Sequence, residues 1–189
     1  MRQSRFVYWF WGILTVLIVA VVLAAIVIQS GAYDVAATHK DPGFVRAILS
    51  HTSDRSVAAH SGKVQVPANL GADSMSLLVG ASEYEGTCAQ CHAAPGRDRG
   101  VVGQGLNPEP PKLDDAVNDL GNKQIFWIAK HGIKMTGMPA FGSTHADSTL
   151  WDIVAFIGRF PHMTARQYEA WLAAAKAAGI GEPHGEEGH

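Results

Sequence analysis

The sequence predicts an all-α protein in which one N-terminal transmembrane helix precedes a small helical domain. Three observations support this fold class. The run from Phe6 to Ile28 contains no charged residue and, as a helix, is long enough to cross a bilayer. Later segments place apolar residues at helical spacing after N-capping residues. Residues 93–121 are rich in glycine and proline, and such a long irregular segment is unusual in a compact domain unless it wraps around something.

Length and composition narrow the class of protein further. The chain has 189 residues, enough for one ordinary domain with attached segments. Its formal net charge is −2, so we expect no nucleic-acid partner. The two cysteines, Cys88 and Cys91, are three positions apart. A disulfide scaffold would need more cysteines at wider spacing.

The uncharged run predicts a membrane anchor. Arg2 and Arg5 precede it, and basic residues are enriched on the cytoplasmic side of membrane helices. We therefore expect a single-pass protein of the cytoplasmic (inner) membrane with the rest of the chain in the periplasm. A cleaved signal peptide is the alternative. Its apolar stretch would be shorter and would end in an A-x-A-like site, which residues 28–32 match poorly.

Capping residues and the spacing of apolar residues predict where helices begin and end after the anchor. Asp41 and Asp73 (or Ser74) are possible N-caps, and Thr144 and Thr164 each begin a capping-box pattern. The predicted helices cover residues 42–49, 53–61, 75–88, 122–131, 145–160 and 165–178. The predicted regions are an anchor (1–30), a linker with short helices (31–72), the main domain (73–162), a C-terminal helix (163–180) and a disordered tail (181–189).

The segment from Cys88 to His92 has the pattern C-x-x-C-H, which is the attachment signature of c-type haem. Each thiol can add to one haem vinyl group, and His92 then faces the iron. Two alternatives compete with this interpretation. A dithiol redox site would normally lie in a βαβ pattern, which is absent, and a structural zinc site needs four ligands. We predict one covalently attached haem c, bound by Cys88 and Cys91, with His92 as an iron ligand.

Together with this motif, the chain resembles class I cytochromes c over residues 75–160. Gly80 and Tyr84 complete the pattern G-x-x-x-aromatic-x-x-x-C-x-x-C-H. In that family the glycine and the aromatic residue cross a C-terminal helix, and residues 152–157 resemble that helix. The resemblance implies a helical domain that surrounds one haem.

The resemblance also implies further haem contacts. Pro111-Lys112-Leu113 is similar to the P-x-L sequence of the family. There the proline carbonyl accepts a hydrogen bond from the iron-binding histidine, and the leucine covers the haem. We therefore expect Pro111 and Leu113 to take part in cofactor binding.

The sixth iron ligand is expected in residues 137–142, which resemble the methionine region of the family. Met138 is the candidate, and its neutral thioether would favour ferrous iron and raise the reduction potential. Met135, three residues earlier, is an alternative. His131 would instead give an iron with two histidine ligands.

Six-coordinate iron leaves no open site for a substrate, so we expect an electron carrier and not an enzyme. Redox proteins would be its partners, either transiently or as stable subunits of a respiratory or dehydrogenase complex. The extra helices around residues 41–61 and 164–178 favour complex membership. Two alternatives remain: a haem enzyme or gas sensor in which Met138 dissociates, and a structural subunit in which the haem is incidental.

Overall fold

The computed structural model describes residues 2–181, and every regular element in that part of the chain is helical. The all-α prediction is therefore confirmed. The chain divides after His39 into two compact units, which are described separately below. The predicted tail falls almost entirely on residues 182–189, outside the described residues.

The first unit contains helix α1 (Arg2–Ser30). Its stretch from Phe6 to Ser30 is long and apolar enough to cross a membrane. Side chains on every side of this stretch are exposed, as expected for a helix whose surroundings are lipid. The predicted transmembrane helix is thus confirmed as an element of the structure.

The second unit begins with one long helix, α2 (Gly43–Ser61). The prediction of two short helices in this region was wrong, and the N-cap is Pro42 and not Asp41. No proline or glycine separates the two predicted pieces. The hydroxyl of Thr52, in the predicted gap, donates to the carbonyl of Ile48 (2.7 Å), a bond to the preceding turn that a continuous helix allows.

The next helical segment contains the C-x-x-C-H motif. Helix α3 (Ser74–Glu83) begins at Asp73, whose side chain accepts a hydrogen bond from the backbone N–H of Met75 (3.1 Å). A wide π-helical turn follows at Tyr84–Cys88, and α4 (Ala89–His92) continues the helix. The helix therefore extends beyond the predicted end at Cys88. Such π turns occur frequently at functional sites.

Helix α3 crosses α8 (Asp147–Ile157) at Gly80. A Cβ atom at Gly80 would lie 2.1 Å from the Asp152 carbonyl oxygen and 3.0 Å from Cβ of Phe156, so only glycine permits this approach. The predicted inner face of α3 is confirmed, because Leu77, Gly80, Ala81 and Tyr84 are all buried.

The described part of the second unit, up to residue 181, contains four further helices: α5 (Val101–Gly105), α6 (Leu113–Asp119), α7 (Asn122–His131) and α9 (Ala165–Ala177). Short 3₁₀ turns lie at Phe141–Ser143 and Phe160–His162. Helices α5 and α6 correct the prediction that residues 93–121 form only an irregular loop. The predicted α7 and its end at Gly132, which adopts φ +64°, are confirmed.

The two predicted capping boxes had different outcomes. At Thr164 the box is present, since the Thr164 hydroxyl accepts from the backbone of Gln167 (3.3 Å) and the Gln167 side chain accepts from the backbone of Thr164 (2.8 Å). The box at Thr144 was wrong. Its hydroxyl donates to the carbonyl of Phe141 (3.3 Å) in the preceding turn, and α8 begins only at Asp147 and ends at Ile157.

An aromatic cluster holds the core together. Tyr84 meets the ring of Phe160 edge-on, with centroids 4.8 Å apart, and Phe156 and Tyr168 complete the group. Tyr168 lies on α9, so this helix belongs to the core that supports the motif.

Candidate haem site

The two motif cysteines lie in one continuous helical segment. Cys88 ends the π turn, Cys91 lies on α4, and both thiols are free and half-buried. Residues three apart in a helix lie on the same face. The spacing therefore presents two thiols side by side next to His92.

The thiol chemistry argues against a reactive dithiol. Burial raises the pKa of the Cys88 thiol to about 12, with smaller contributions from Glu83 and Cys91. Catalytic cysteines have a lowered pKa, which supplies the thiolate. Among the described residues, no three or more metal-binding side chains gather into a cluster of the kind that a structural zinc would use.

The imidazole of His92 is oriented by the backbone of Pro111. Its Nδ1 lies 2.9 Å from the Pro111 carbonyl oxygen, so Nδ1–H donates to this acceptor. Nε2 then carries the lone pair that a metal ligand needs. Burial lowers the pKa of His92, the hydrogen bond to Pro111 opposes this shift, and the charge of Arg99 adds to it. The result favours the neutral imidazole, which is the form that binds iron.

Tyr84 supports the residue that follows His92. Its phenol donates a buried hydrogen bond of 2.6 Å to the carbonyl oxygen of Ala93, which adopts φ +66°. From the sequence pattern, Tyr84 was expected only to pack its ring against the C-terminal helix. The role of the hydroxyl was missed, because a single sequence does not show where a buried phenol finds its acceptor.

Two glycines hold α5 against the motif helix. The N–H of Gly100 donates to the carbonyl of Gln90 (2.9 Å), and a Cβ atom at Gly103 would lie 2.7 Å from the Cys91 carbonyl oxygen. Sequence reasoning missed both positions. Their three-residue spacing within the glycine-rich segment was the one sequence feature that could have indicated a close contact between helices.

Leu113 and Pro111 lie at the start of α6. Leu113 is half-buried and packs against the hydrophobic core, whereas the Pro111 side chain is exposed and contributes through its carbonyl. The structure therefore brings Pro111 and His92 together.

Met138 lies on a separate loop with a tightly held backbone. Its N–H donates to the Thr136 hydroxyl (3.1 Å), and its carbonyl accepts from the N–H of Ile133 (3.2 Å). A Cβ atom at Gly132 would lie 2.7 Å from the Met138 carbonyl oxygen. Met138 itself is half-buried, whereas Met135 is 94% exposed.

Packing contacts connect this loop to the motif. A Cβ atom at Gly137 would lie 2.5 Å from Cδ2 of Leu106, the residue that follows α5. Helix α5 in turn lies against Cys91 through Gly103. His131 is exposed at the end of α7, with its ring 5.0 Å from that of Trp127.

These side chains fit haem c. Two free thiols that are adjacent on a helix suit covalent attachment. A neutral imidazole with its Nδ1–H engaged suits axial ligation, and second-shell hydrogen bonds of this kind orient metal-binding histidines.

Comparison with known families agrees with this chemistry. Residues 76–157 match the family model described as "Cytochrome C oxidase, cbb3-type, subunit III". Residues 76–157 form a c-type cytochrome domain. The resemblance to class I cytochromes c is thereby confirmed, and the cytochrome domain implies covalently bound haem c and haem-based electron transfer. No curated protein matches the chain significantly.

The match covers less than half of the chain. It includes nearly all of α3 and extends through α8, so the cytochrome domain contains the motif, Pro111, Leu113 and Met138. Helices α2 and α9 lie outside the matched residues.

Proposed function

We propose that this protein carries single electrons between redox proteins, through one haem c attached at Cys88 and Cys91 with His92 and Met138 as iron ligands. The observation that supports this most directly is the 2.9 Å contact between Nδ1 of His92 and the Pro111 carbonyl. It links the C-x-x-C-H motif to the P-x-L segment, as a class I cytochrome would require.

Haem c supplies reversible one-electron chemistry at its iron when it is bound. The protein supplies attachment, orientation and shielding. Cys88 and Cys91 would hold the group by thioether bonds, and Pro111 fixes the ring orientation of His92. Leu113 would shield the group, and Met138 would contribute a neutral, soft ligand that favours the ferrous state.

We also propose that the cytochrome domain lies in the periplasm, anchored in the cytoplasmic membrane by α1. Arg2 and Arg5 before the apolar run support this orientation. Helices α2 and α9 lie outside the matched cytochrome residues. Their presence supports membership of a larger redox complex, in which they would offer additional surface to companion subunits.

Covalent attachment is the step to test first. The purified full-length protein should keep its haem through denaturation and acidified-acetone extraction, and Cys88→Ala/Cys91→Ala should lose it. Complete release of the pigment from the wild type would contradict the proposal. A reduced protein that transfers no electron to any soluble one-electron acceptor would contradict the carrier function while leaving attachment intact.

A further inference from the structure

The first half of α2, residues 43–50, carries an apolar face that is largely exposed. Phe44 is 70% exposed, Ile48 61% and Leu49 57%. Residues three or four positions apart lie on the same side of a helix, so Phe44 and Ile48 form one stripe, and Leu49 widens it. Thr52 lies on the same side, and its hydroxyl already donates to the Ile48 carbonyl (2.7 Å). This face can therefore leave water without stranding a hydrogen-bond donor.

The stripe is distinct from the side of α2 that packs on the cytochrome domain. Helix α2 contacts α7, and Val57 and Ser61 in its second half are buried. The ring of His60 lies 5.8 Å from that of Trp127. Ile48 and Val57 are separated by about two and a half helical turns, so their side chains point to opposite sides of the helix. The stripe therefore points away from the domain contact.

The first turns of α2 lack the usual features that stabilise a helix. The helix begins at Gly43, a poor helix former. Within residues 2–181, no side chain caps this end, and the first turn contains no acidic residue to favour the helix dipole. A short helical segment without a cap or a buried face is marginal in water. A second surface that covers the stripe would supply this stabilisation.

Chain connectivity favours a lipid bilayer as that surface. Residues 31–42 connect the end of α1 to the start of α2. An extended chain of this length spans about 40 Å at most. The tether thus keeps α2 at a high effective concentration near the membrane that holds α1, so a few apolar side chains are enough for a second, weak contact.

The charges on α2 also fit lipid headgroups. Arg46 is the charged residue of the first half, and Arg55 lies on the side of the stripe, about two turns after Ile48. Both arginines are exposed. The acidic residue of α2, Asp54, lies on a different side of the helix from the stripe. Basic residues beside an apolar face are typical of helices that lie on anionic membrane surfaces.

We infer that the face formed by Phe44, Ile48 and Leu49 lies in the headgroup region of the bilayer that holds α1, with Arg46 and Arg55 at lipid phosphates. This inference rests on α1 as the membrane anchor and is independent of the haem ligands. It adds a second membrane contact to the anchor. The remaining surface of α2 stays available to companion subunits.

The test uses full-length, haem-loaded protein in vesicles of phosphatidylcholine and phosphatidylglycerol. A nitroxide spin label is attached to Ile48→Cys and, in a separate sample, to Ser50→Cys. Ser50 is also exposed but lies about 200° around the helix from Ile48, so it is the matched control for the same label. The measured quantity is the collision rate of the nitroxide with oxygen, which concentrates in lipid, and with a water-soluble nickel complex.

The label at position 48 should collide several-fold more often with oxygen than with the nickel complex, and the label at position 50 should show the reverse. The oxygen preference at position 48 should decrease in Arg46→Gln/Arg55→Gln and in vesicles of phosphatidylcholine alone. A nickel preference at both positions would show that the stripe faces water and would overturn the inference. A label at position 48 that is shielded from both reagents would also overturn it, because a second protein copy would then cover the stripe.

Two further measurements separate this inference from the proposed function. Flotation of the protein with the vesicles reports whether α1 is inserted. Protein that does not float would show that α1 is not an anchor, and the inference would fall with it. A c-type haemochrome spectrum of every sample reports the haem independently of lipid contact.

Discussion

The phenolic oxygen of Tyr84 lies 2.6 Å from the carbonyl oxygen of Ala93, the residue directly after His92. Burial raises the pKa of Tyr84, so the phenol stays protonated and remains a donor at all physiological pH values. This bond ties the core of the cytochrome domain to the end of its haem-binding helix.

Tyr84→Phe should therefore destabilise the protein by about 1–3 kcal/mol, because it leaves a buried carbonyl without its donor. Denaturant unfolding of the haem-loaded protein measures this. Tyr168→Phe is a useful comparison, since its hydroxyl donates to Glu85 (2.8 Å) and not to the motif backbone. Only Tyr84→Phe should also perturb the visible spectrum of the haem. Identical spectra for both variants would show that the Tyr84 bond does not influence the His92 ligand.

Gly80→Ala should be severely destabilising. The new methyl group would lie 2.1 Å from the Asp152 carbonyl oxygen, so α3 and α8 would have to move apart. We expect a loss of roughly 3 kcal/mol or more, at the upper end of overpacking effects. Gly86→Ala is the control, because no atom lies within 4 Å of its added Cβ. Equal thermal stability of the two variants would contradict the observed helix crossing.

Met138→Ala should open the sixth coordination position. The weak sulfur-to-iron absorption band of the oxidised protein should disappear, the potential should fall, and carbon monoxide should bind the ferrous form more readily. Met135→Ala and His131→Ala should change none of these properties, since both side chains are exposed.

The methionine variants also discriminate between the functional alternatives. If only Met135→Ala lost the sulfur-to-iron band, the sixth iron ligand would be Met135 and not Met138. A wild type that lacks the band and already binds carbon monoxide would favour the haem enzyme or gas sensor over the electron carrier.

The ionised side chain of Glu85 is expected to stabilise the folded protein, and this contribution should be lost in acid. Burial alone would raise its pKa, but hydrogen bonds from Arg97 and Tyr168 and the charge of Arg97 outweigh burial and hold it below the usual glutamate range. A carboxyl group whose pKa is lowered on folding stabilises the folded state above its unfolded pKa, and that contribution is lost as the pH falls through the folded pKa.

Glu85→Gln should therefore be less stable than the wild type at roughly pH 6, and the difference should shrink towards roughly pH 3. Denaturant unfolding at a series of pH values checks this. Glu109→Gln, at a more exposed carboxylate, should show a smaller difference at the higher pH. A Glu85→Gln deficit that does not vary with pH would mean that the variant acts through packing.

The anchor leads to a simple fractionation prediction. The protein should stay in the membrane after high-salt and alkaline washing, because the uncharged helix from Phe6 onward buries apolar surface in lipid. Recovery from the soluble periplasm, with an N-terminus beyond residue 25, would show instead that the segment is cleaved.

Local patterns were enough to predict the anchor, the haem motif and most helices. The uncharged run, the C-x-x-C-H segment and the Thr164 capping box each depend on residues that are close in the chain. They can therefore be recognised from the sequence without knowledge of the fold. The Gly80 crossing was also predictable, because the family pattern places a glycine where two helices approach each other.

The errors and omissions involve contacts between distant residues or competing local bonds. The Thr144 box failed because Thr144 closes the preceding 3₁₀ turn, where its N–H donates to the carbonyl of Phe141 (3.0 Å), and the N-cap of α8 is Ala146, two residues later. Helix α5 was missed because Gly100 and Gly103 pack on the motif helix, where that contact outweighs the poor helix propensity of glycine. The bond from Tyr84 to Ala93 appears only when the chain is folded, since burial determines which polar groups must find partners.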